Sequence, residues 1–203
     1  MILKKFTVGD IGNNNYLIAD GKDAALIDCT GDIPELDSVL KENDIELKYV
    51  LLTHAHFDHI SGVKKLQEKY NVKVCLHEAD KETIESTDDF MKMVNLPPIN
   101  VPKVDIYLKE GDKIKLGNIE LKVMHLPGHT PGGAGYIVGN MIFSGDTIFL
   151  NSVGRTDLPG GDFNVLKSSI QNKLFKLDDN TIIYTGHGAD TSIGYEKKYN
   201  SCL

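Results

Sequence analysis

The sequence predicts a mixed α/β and α+β chain in which two β-sheets face each other with helices outside. Three observations predict it. Strand-like runs separated by Gly, Asn and Asp dominate both ends of the 203 residues; stretches with helical spacing are interspersed; and polar residues with ligand chemistry recur where strands end. The hydrophobic fraction of 41% and charged fraction of 25% are those of an ordinary soluble protein, and the length predicts one domain over residues 1–203.

Taken in order, residues 2–8, 16–19 and 24–27 read as strands. A helix is expected from Pro34, with Asp32 as its cap and Ile33, Leu36, Val39 and Leu40 at amphipathic spacing. Val50, Leu51 and Leu52 then form a short buried strand that runs directly into His54, His56, Asp58 and His59. From His59 a second helix carries Ile60, Val63, Leu66 and Tyr70 on one face, followed by a strand at 72–76 and a helix from Glu78. Residues 86–103 hold Phe90, Met91, Met93, Leu96 and a Pro97-Pro98 pair without a clean period. They are expected to form a long loop, either a packed lid with Phe90, Met91 and Met93 against substrate or a simple cover over core.

Strands return at 104–108, 113–116, 119–124, 135–138 and 141–144, with turn pairs such as Gly111-Asp112, Gly117-Asn118 and Gly139-Asn140 among their separators. A last helix over 163–174 buries Phe163, Leu166, Ile170 and Leu174 behind an Asp162 cap. The strand at 181–184 leads into Gly186-His187-Gly188.

Composition narrows the partners. A net charge of −7 with scattered lysines argues against a nucleic acid. No apolar run is long enough to span a bilayer, and Met1 to Phe6 lacks a signal-peptide core, so a cytoplasmic protein without a membrane partner is expected. Cys29, Cys75 and Cys202 are odd in number and lack Cys-x-x-Cys spacing, which predicts free thiols.

The stretch T-H-A-H-F-D-H places four potential ligands within six residues. In an extended chain His54 and His56 share one side, whereas Asp58 and His59 fall in the turn that opens the next helix and approach from another direction. Three more strand ends repeat the theme: Gly128-His129-Thr130, Ser144-Gly145-Asp146 and Gly186-His187-Gly188. Imidazole and carboxylate at this density match borderline divalent metals. Seven ligands are too many for one ion.

The ordered set T-H-A-H-F-D-H, G-H-T-P-G, S-G-D-T and G-H-G resembles the metallo-β-lactamase-fold hydrolases along essentially the whole chain. Gly154 to Gly161 and Gly194 to Asn200 are similar to the compact, single-domain glyoxalase II-like branch, the hydroxyacylglutathione hydrolases. The resemblance implies a four-layer αββα sandwich with two mixed sheets, and two divalent ions, zinc first with iron or manganese as alternatives. It implies that His54, His56 and His129 hold one ion, that Asp58, His59 and His187 hold the other, and that Asp146 bridges them. The implied reaction is hydrolysis of a small acyl thioester, S-lactoylglutathione or one of another thiol, by a metal-bridging hydroxide that Asp58 helps to orient.

An alternative of the same fold is a persulfide dioxygenase with one iron on His54, His129 and Asp146. A non-catalytic metal-binding module is a further one. Arg155, the only arginine, stands after the Asp146 strand, where its planar fork is expected either to contact a substrate carboxylate or brace the ligand loops, or to be an ordinary surface residue. His77 and His125 are expected to be structural, and Cys29 a buried thiol rather than a nucleophile.

Overall fold

Residues 2–108 build one six-stranded sheet in the computed structural model, which describes residues 1–203. Strands β1 (Ile2–Val8), β2 (Asn13–Asp20) and β3 (Asp23–Ile27) form an antiparallel meander. Helix α1 (Leu36–Glu42) crosses over to β4 (Glu46–Leu51), which lies parallel to β3. The short α2 (Phe57–Ile60) and α3 (Val63–Tyr70) lead to β5 (Lys73–His77); α4 (Lys81–Glu85) and α5 (Thr87–Met93) lead to β6 (Ile106–Leu108), both strands parallel to their neighbours.

The second sheet opens with antiparallel β7 (Lys113–Leu116), β8 (Ile119–His125), β9 (Ala134–Val138) and β10 (Met141–Gly145). After a small hairpin of β11 (Ile148–Phe149) and β12 (Ser152–Val153), helix α6 (Phe163–Asn172) crosses to β13 (Ile182–Thr185), parallel to β10. The edge strand β14 (Thr191–Ser192) runs straight into α7 (Ile193–Tyr199).

Strand alternation sorts the apolar side chains into three cores between four layers. On β2, Leu17 faces α1 and α3 in the first core, while Tyr16 and Ile18 face the other sheet in the second. On β10, Phe143 joins that central core, and Ile142 points the opposite way onto Leu166, Ile170 and Ile193 of α6 and α7. This is the expected αββα sandwich, and both sheets are mixed.

Several local expectations need correction. Helix α1 begins at Leu36 without a side-chain cap, because the Asp32 carboxylate takes the Lys65 ammonium at 2.9 Å instead. Residues 86–103 are not one loop: α5 occupies 87–93, and its pattern looked aperiodic because it serves two surfaces, with Met91 buried while Phe90 and Met93 face a cavity. Asp162 does cap α6, accepting from the Asn164 and Val165 amides, but Phe163 is exposed and the helix stops at Asn172, with Leu174 carried into the third core by a following 3₁₀ turn. The β11–β12 hairpin, β14 and α7 lie in short runs that no periodicity marked.

Candidate metal centre

The connections that follow β4, β8, β10 and β13 meet at one edge of the sandwich and carry all seven predicted ligands. Three groups form there: His54, His56 and His129; His54, His59 and Asp146; and Asp58, His59 and His187, with the ligand atoms of each within 4.8 Å of one another. The ring nitrogens of the first group nearly touch, His56 Nδ1 to His129 Nε2 at 2.9 Å and His129 Nε2 to His54 Nε2 at 3.2 Å. Asp146 stands between the sets. Its Oδ2 is 3.7 Å from His129 Nε2 and 3.5 Å from His187 Nε2, and its Oδ1 is 3.4 Å from His59 Nε2.

Outer partners aim these rings. His129 Nδ1 donates to the Arg155 carbonyl at 2.7 Å, His187 Nδ1 to the Ile11 carbonyl at 3.1 Å, and His59 Nδ1 to Asp28 Oδ2 at 2.8 Å. The Thr53 hydroxyl donates to Asp28 Oδ2 at 2.7 Å and so accepts from His54 Nδ1 at 3.0 Å. Each of these four imidazoles is therefore held through Nδ1 with its Nε2 turned inward, the arrangement that metal-ligating histidines use.

Asp28 reaches its partners from a left-handed backbone conformation, φ 57°, at the end of β3. That conformation costs energy for a residue with a Cβ, and the Thr53 amide, the Thr53 hydroxyl and His59 hold it there. Gly186 completes the crowding: a Cβ at that position would collide with Asp146 Oδ1.

The charges are set by burial and by neighbours. Burial, then the surrounding imidazoles, pushes His54 well down; burial and His129 push His56 down to about 3. Burial pushes the other way for His59, but Asp146, Asp58 and Asp28 together outweigh it and hold the ring above its ordinary range. Burial would raise Asp58 and Asp146; instead His59 foremost, with His187, keeps both below the usual carboxylate range, and Asn13 adds its amide to Asp58. The acids are ionised at neutral pH.

His59 Nε2 and Asp146 Oδ1 are fully buried and have no hydrogen-bond partner. Orphaned polar atoms facing each other in a nest of imidazoles and carboxylates cost several kcal/mol unless something fills them, and a divalent cation satisfies the whole set. The donors present fit such ions.

Reading the sequence missed three supports. Asp28 and Asp80 each follow a strand, the same signal that singled out Asp146. Asp80 is fully buried, and its carboxylate accepts from the Ala55 amide at 3.0 Å, the Thr130 hydroxyl at 2.9 Å, the Gly132 amide at 2.6 Å and the Thr83 hydroxyl at 3.3 Å. It thereby ties the His54–His56 segment to the His129 loop. Asn13 donates to Asp58 Oδ2 at 3.0 Å, and nothing in its Asn-Asn-Asn run signals that.

Arg155 is placed at the surface, 60% exposed, with its guanidinium forked onto Asp157 at 2.7 and 2.8 Å; its backbone carbonyl, not its side chain, braces His129. Phe90 and Met93 line a cavity beside His56, whereas Met91, 3% exposed, is no part of its wall. His77 and His125 stack on each other, centroids 3.9 Å apart, away from the ligand groups. Cys29 is buried, and burial raises its thiol to about 12.

Known proteins agree with this architecture. The chain is 40% identical over 195 residues to hydroxyacylglutathione hydrolase GloC of Haemophilus influenzae, covering 94% of this chain and 92% of that one. Among solved structures, the BLEG-1 B3 metallo-beta-lactamase superposes with a TM-score of 0.90 at 35% identity, over 98% of each chain. TTHA1623 in a di-iron-bound form does so with 0.86 at 37% identity, over 98% of this chain and 100% of that one. The family described as the metallo-beta-lactamase superfamily matches residues 8–187. With sandwich, ligand order and family match in agreement, the chain belongs to the metallo-beta-lactamase superfamily.

Proposed function

We propose that this protein is a binuclear metallohydrolase that cleaves a small acyl thioester, S-lactoylglutathione or a related compound. One observation carries the reading: the carboxylate of Asp146 stands between two ligand groups, 3.7 Å from His129 of one and 3.4 Å from His59 of the other, beside a cavity of about 400 Å³. In it His54, His56 and His129 hold one divalent ion, zinc first, and Asp58, His59 and His187 the other. Such ions, when bound, supply hydroxide at neutral pH and polarise a carbonyl.

The chain's own residues supply the rest. Ionised Asp58, with Oδ2 fixed by Asn13 and 3.4 Å from His187 Nε2, accepts a hydrogen bond from the attacking water and orients it toward the thioester carbon. Phe57 and Phe90, their rings 6.1 Å apart, wall the approach and limit water. A thiolate leaves readily, so no strong general acid is required.

A mononuclear iron oxygenase would leave Asp58, His59 and His187 without a task, which favours the two-ion reading. The test is loss of thioester absorbance from S-D-lactoylglutathione at millimolar concentration. Protein reconstituted anaerobically with zinc, iron or manganese is compared with its Asp58→Asn and His54→Ala variants. Turnover with about two ions per chain, lost in both variants, is expected; a single bound iron with oxygen uptake on glutathione persulfide would overturn the proposal.

A further inference from the structure

His56 is oriented unlike the other four clustered histidines. Those four are held through Nδ1 by the protein: His54 by the Thr53 hydroxyl, His59 by Asp28, His129 by the Arg155 carbonyl and His187 by the Ile11 carbonyl. His56 is reversed. Its Nδ1 faces the first ligand group, 2.9 Å from His129 Nε2, and its Nε2 meets no protein partner. Unlike the orphaned His59 Nε2, that nitrogen is not sealed in the interior. His56 lines the cavity, so its outer nitrogen opens to that space.

The surroundings hold the ring without satisfying it. His56 stands just before α2, but its side chain makes no capping bond. Phe90 lies nearly parallel to the imidazole, with centroids 6.4 Å apart and planes 20° apart, and Phe57 lies 6.1 Å from Phe90. Aromatic rings at those distances steer an imidazole and keep water off it, yet offer no acceptor to its N–H. The acids of the wall do not supply one either: Asp89 is paired with Lys92 at 3.0 Å, and no hydrogen bond joins Glu82 to the ring.

An imidazole that lends its Nδ1 lone pair to a cation keeps its proton on Nε2, and the charge of the cation makes that N–H a stronger donor. Metal-ligating histidines almost always spend this outer N–H on an acceptor. Four of the five find a partner within the fold. His56 is left to find one in whatever fills the cavity.

On the two-ion thioester-hydrolase reading given above, we propose that His56 is a substrate-binding residue as well as a metal ligand, its Nε2–H donating to an amide carbonyl of the substrate's thiol arm. The acyl group is too short to be that partner. Nε2 lies across the ring from the nitrogen that faces the other ligands, so an acceptor bonded to it stands about 5 Å beyond Nδ1, a ring's width plus a hydrogen bond. A lactoyl hydroxyl is one carbon from the reacting carbonyl, whereas the first amide carbonyl of a glutathione-like arm lies several bonds beyond the sulfur.

The test is a long-range 1H–15N spectrum of the zinc-loaded protein, labelled with 15N-histidine, without and with the uncleavable thioether S-propylglutathione at millimolar concentration. His77, whose Nδ1 accepts from the Ala79 amide, and His125, whose Nε2 donates to the Pro131 carbonyl, give Nε2–H signals too; the variants His77→Asn and His125→Gln remove them and identify that of His56. With the probe, the His56 Nε2–H is expected to exchange with water ~10-fold more slowly or more, while the other four ligand rings are unchanged. The analogue with both amide oxygens replaced by sulfur keeps shape and charge but accepts weakly, and should lose most of that protection. Equal protection by both probes would place the contact on a carboxylate and overturn the amide assignment. A His56 signal that S-propylglutathione does not move, or a His56 ring protonated on Nδ1, would overturn the contact altogether. Hydrolysis of S-D-lactoylglutathione is read separately: turnover with an unmoved signal leaves the hydrolase reading standing without this contact, and a protected signal without turnover supports the contact and sinks the hydrolase reading.

Discussion

Replacing Asp80 by Asn changes one atom and should be felt at the metal centre, which Asp80 does not touch. Its Oδ2 accepts from the Ala55 amide and the Thr130 hydroxyl, and its Oδ1 from the Gly132 amide and the Thr83 hydroxyl. Whichever oxygen becomes the amide nitrogen, one backbone N–H is left facing another donor, while the threonine hydroxyl can rotate to accept. A buried donor without a partner costs about 1–3 kcal/mol, so a loss of about 2 kcal/mol is expected for Asp80→Asn. Asp80→Ala abandons all four donors and opens a void, for about 3–5 kcal/mol.

The stability loss has a functional counterpart. Ala55 lies between His54 and His56, and Thr130 adjoins His129, so the first ligand group loses its register. Supporting contacts of this kind are worth ~10–100-fold in metal affinity. Urea unfolding of the metal-free proteins measures the first effect, and competition with a chromophoric chelator the second. An Asn variant within about 0.5 kcal/mol of wild type with unchanged zinc affinity would refute the role assigned to Asp80.

Other expectations follow from the same geometry. Gly186→Ala drives a Cβ into Asp146 Oδ1; it should cost about 1–3 kcal/mol and lower the metal content per chain below that of wild type, read by elemental analysis. Arg155→Ala removes only an exposed pair with Asp157, so stability should change by less than about 1 kcal/mol, with kcat/KM moving by less than ~3-fold in the thioesterase assay. Burial, then the stacked His125, holds His77 down at about 4, so the folded state takes up its proton later than the unfolded chain as the pH falls. That contribution is complete above the unfolded value and lost between about pH 6.5 and pH 4. His77→Asn, which keeps an acceptor for the Ala79 amide, should lose on the order of 1 kcal/mol less than wild type across that window in pH-dependent thermal unfolding of the metal-free protein.

Much of this architecture was legible because the physics behind it is local. Val50 to Leu52 ending in His54 is a buried strand meeting a polar site, and Asp162 before an amphipathic run is a cap; both are set by neighbours in sequence. What escaped depends on distant partners. Asp32 looked like a cap until Lys65, brought alongside by α3, claimed its carboxylate. Helix α5 hid because its two faces answer to different surroundings, core for Met91 and cavity for Phe90 and Met93. Asp28 and Asp80 carry no mark in sequence that separates them from other acids after strands; only the folded loops show that each holds histidine segments in place. Arg155 misled for the opposite reason, since its rarity drew attention to a side chain whose backbone makes the contact that matters.

The seven clustered side chains come from both sheets, four from the connection after β4 and three from connections after β8, β10 and β13. No fragment of the chain can therefore assemble the centre. A nascent chain that has just displayed His54 to His59 holds a partial and flexible set, and His187, which follows β13, closes it only after both sheets have docked. Tight capture of metal is thus a late event in maturation, and a chain truncated before β13 should retain ions no better than a loose histidine tract does.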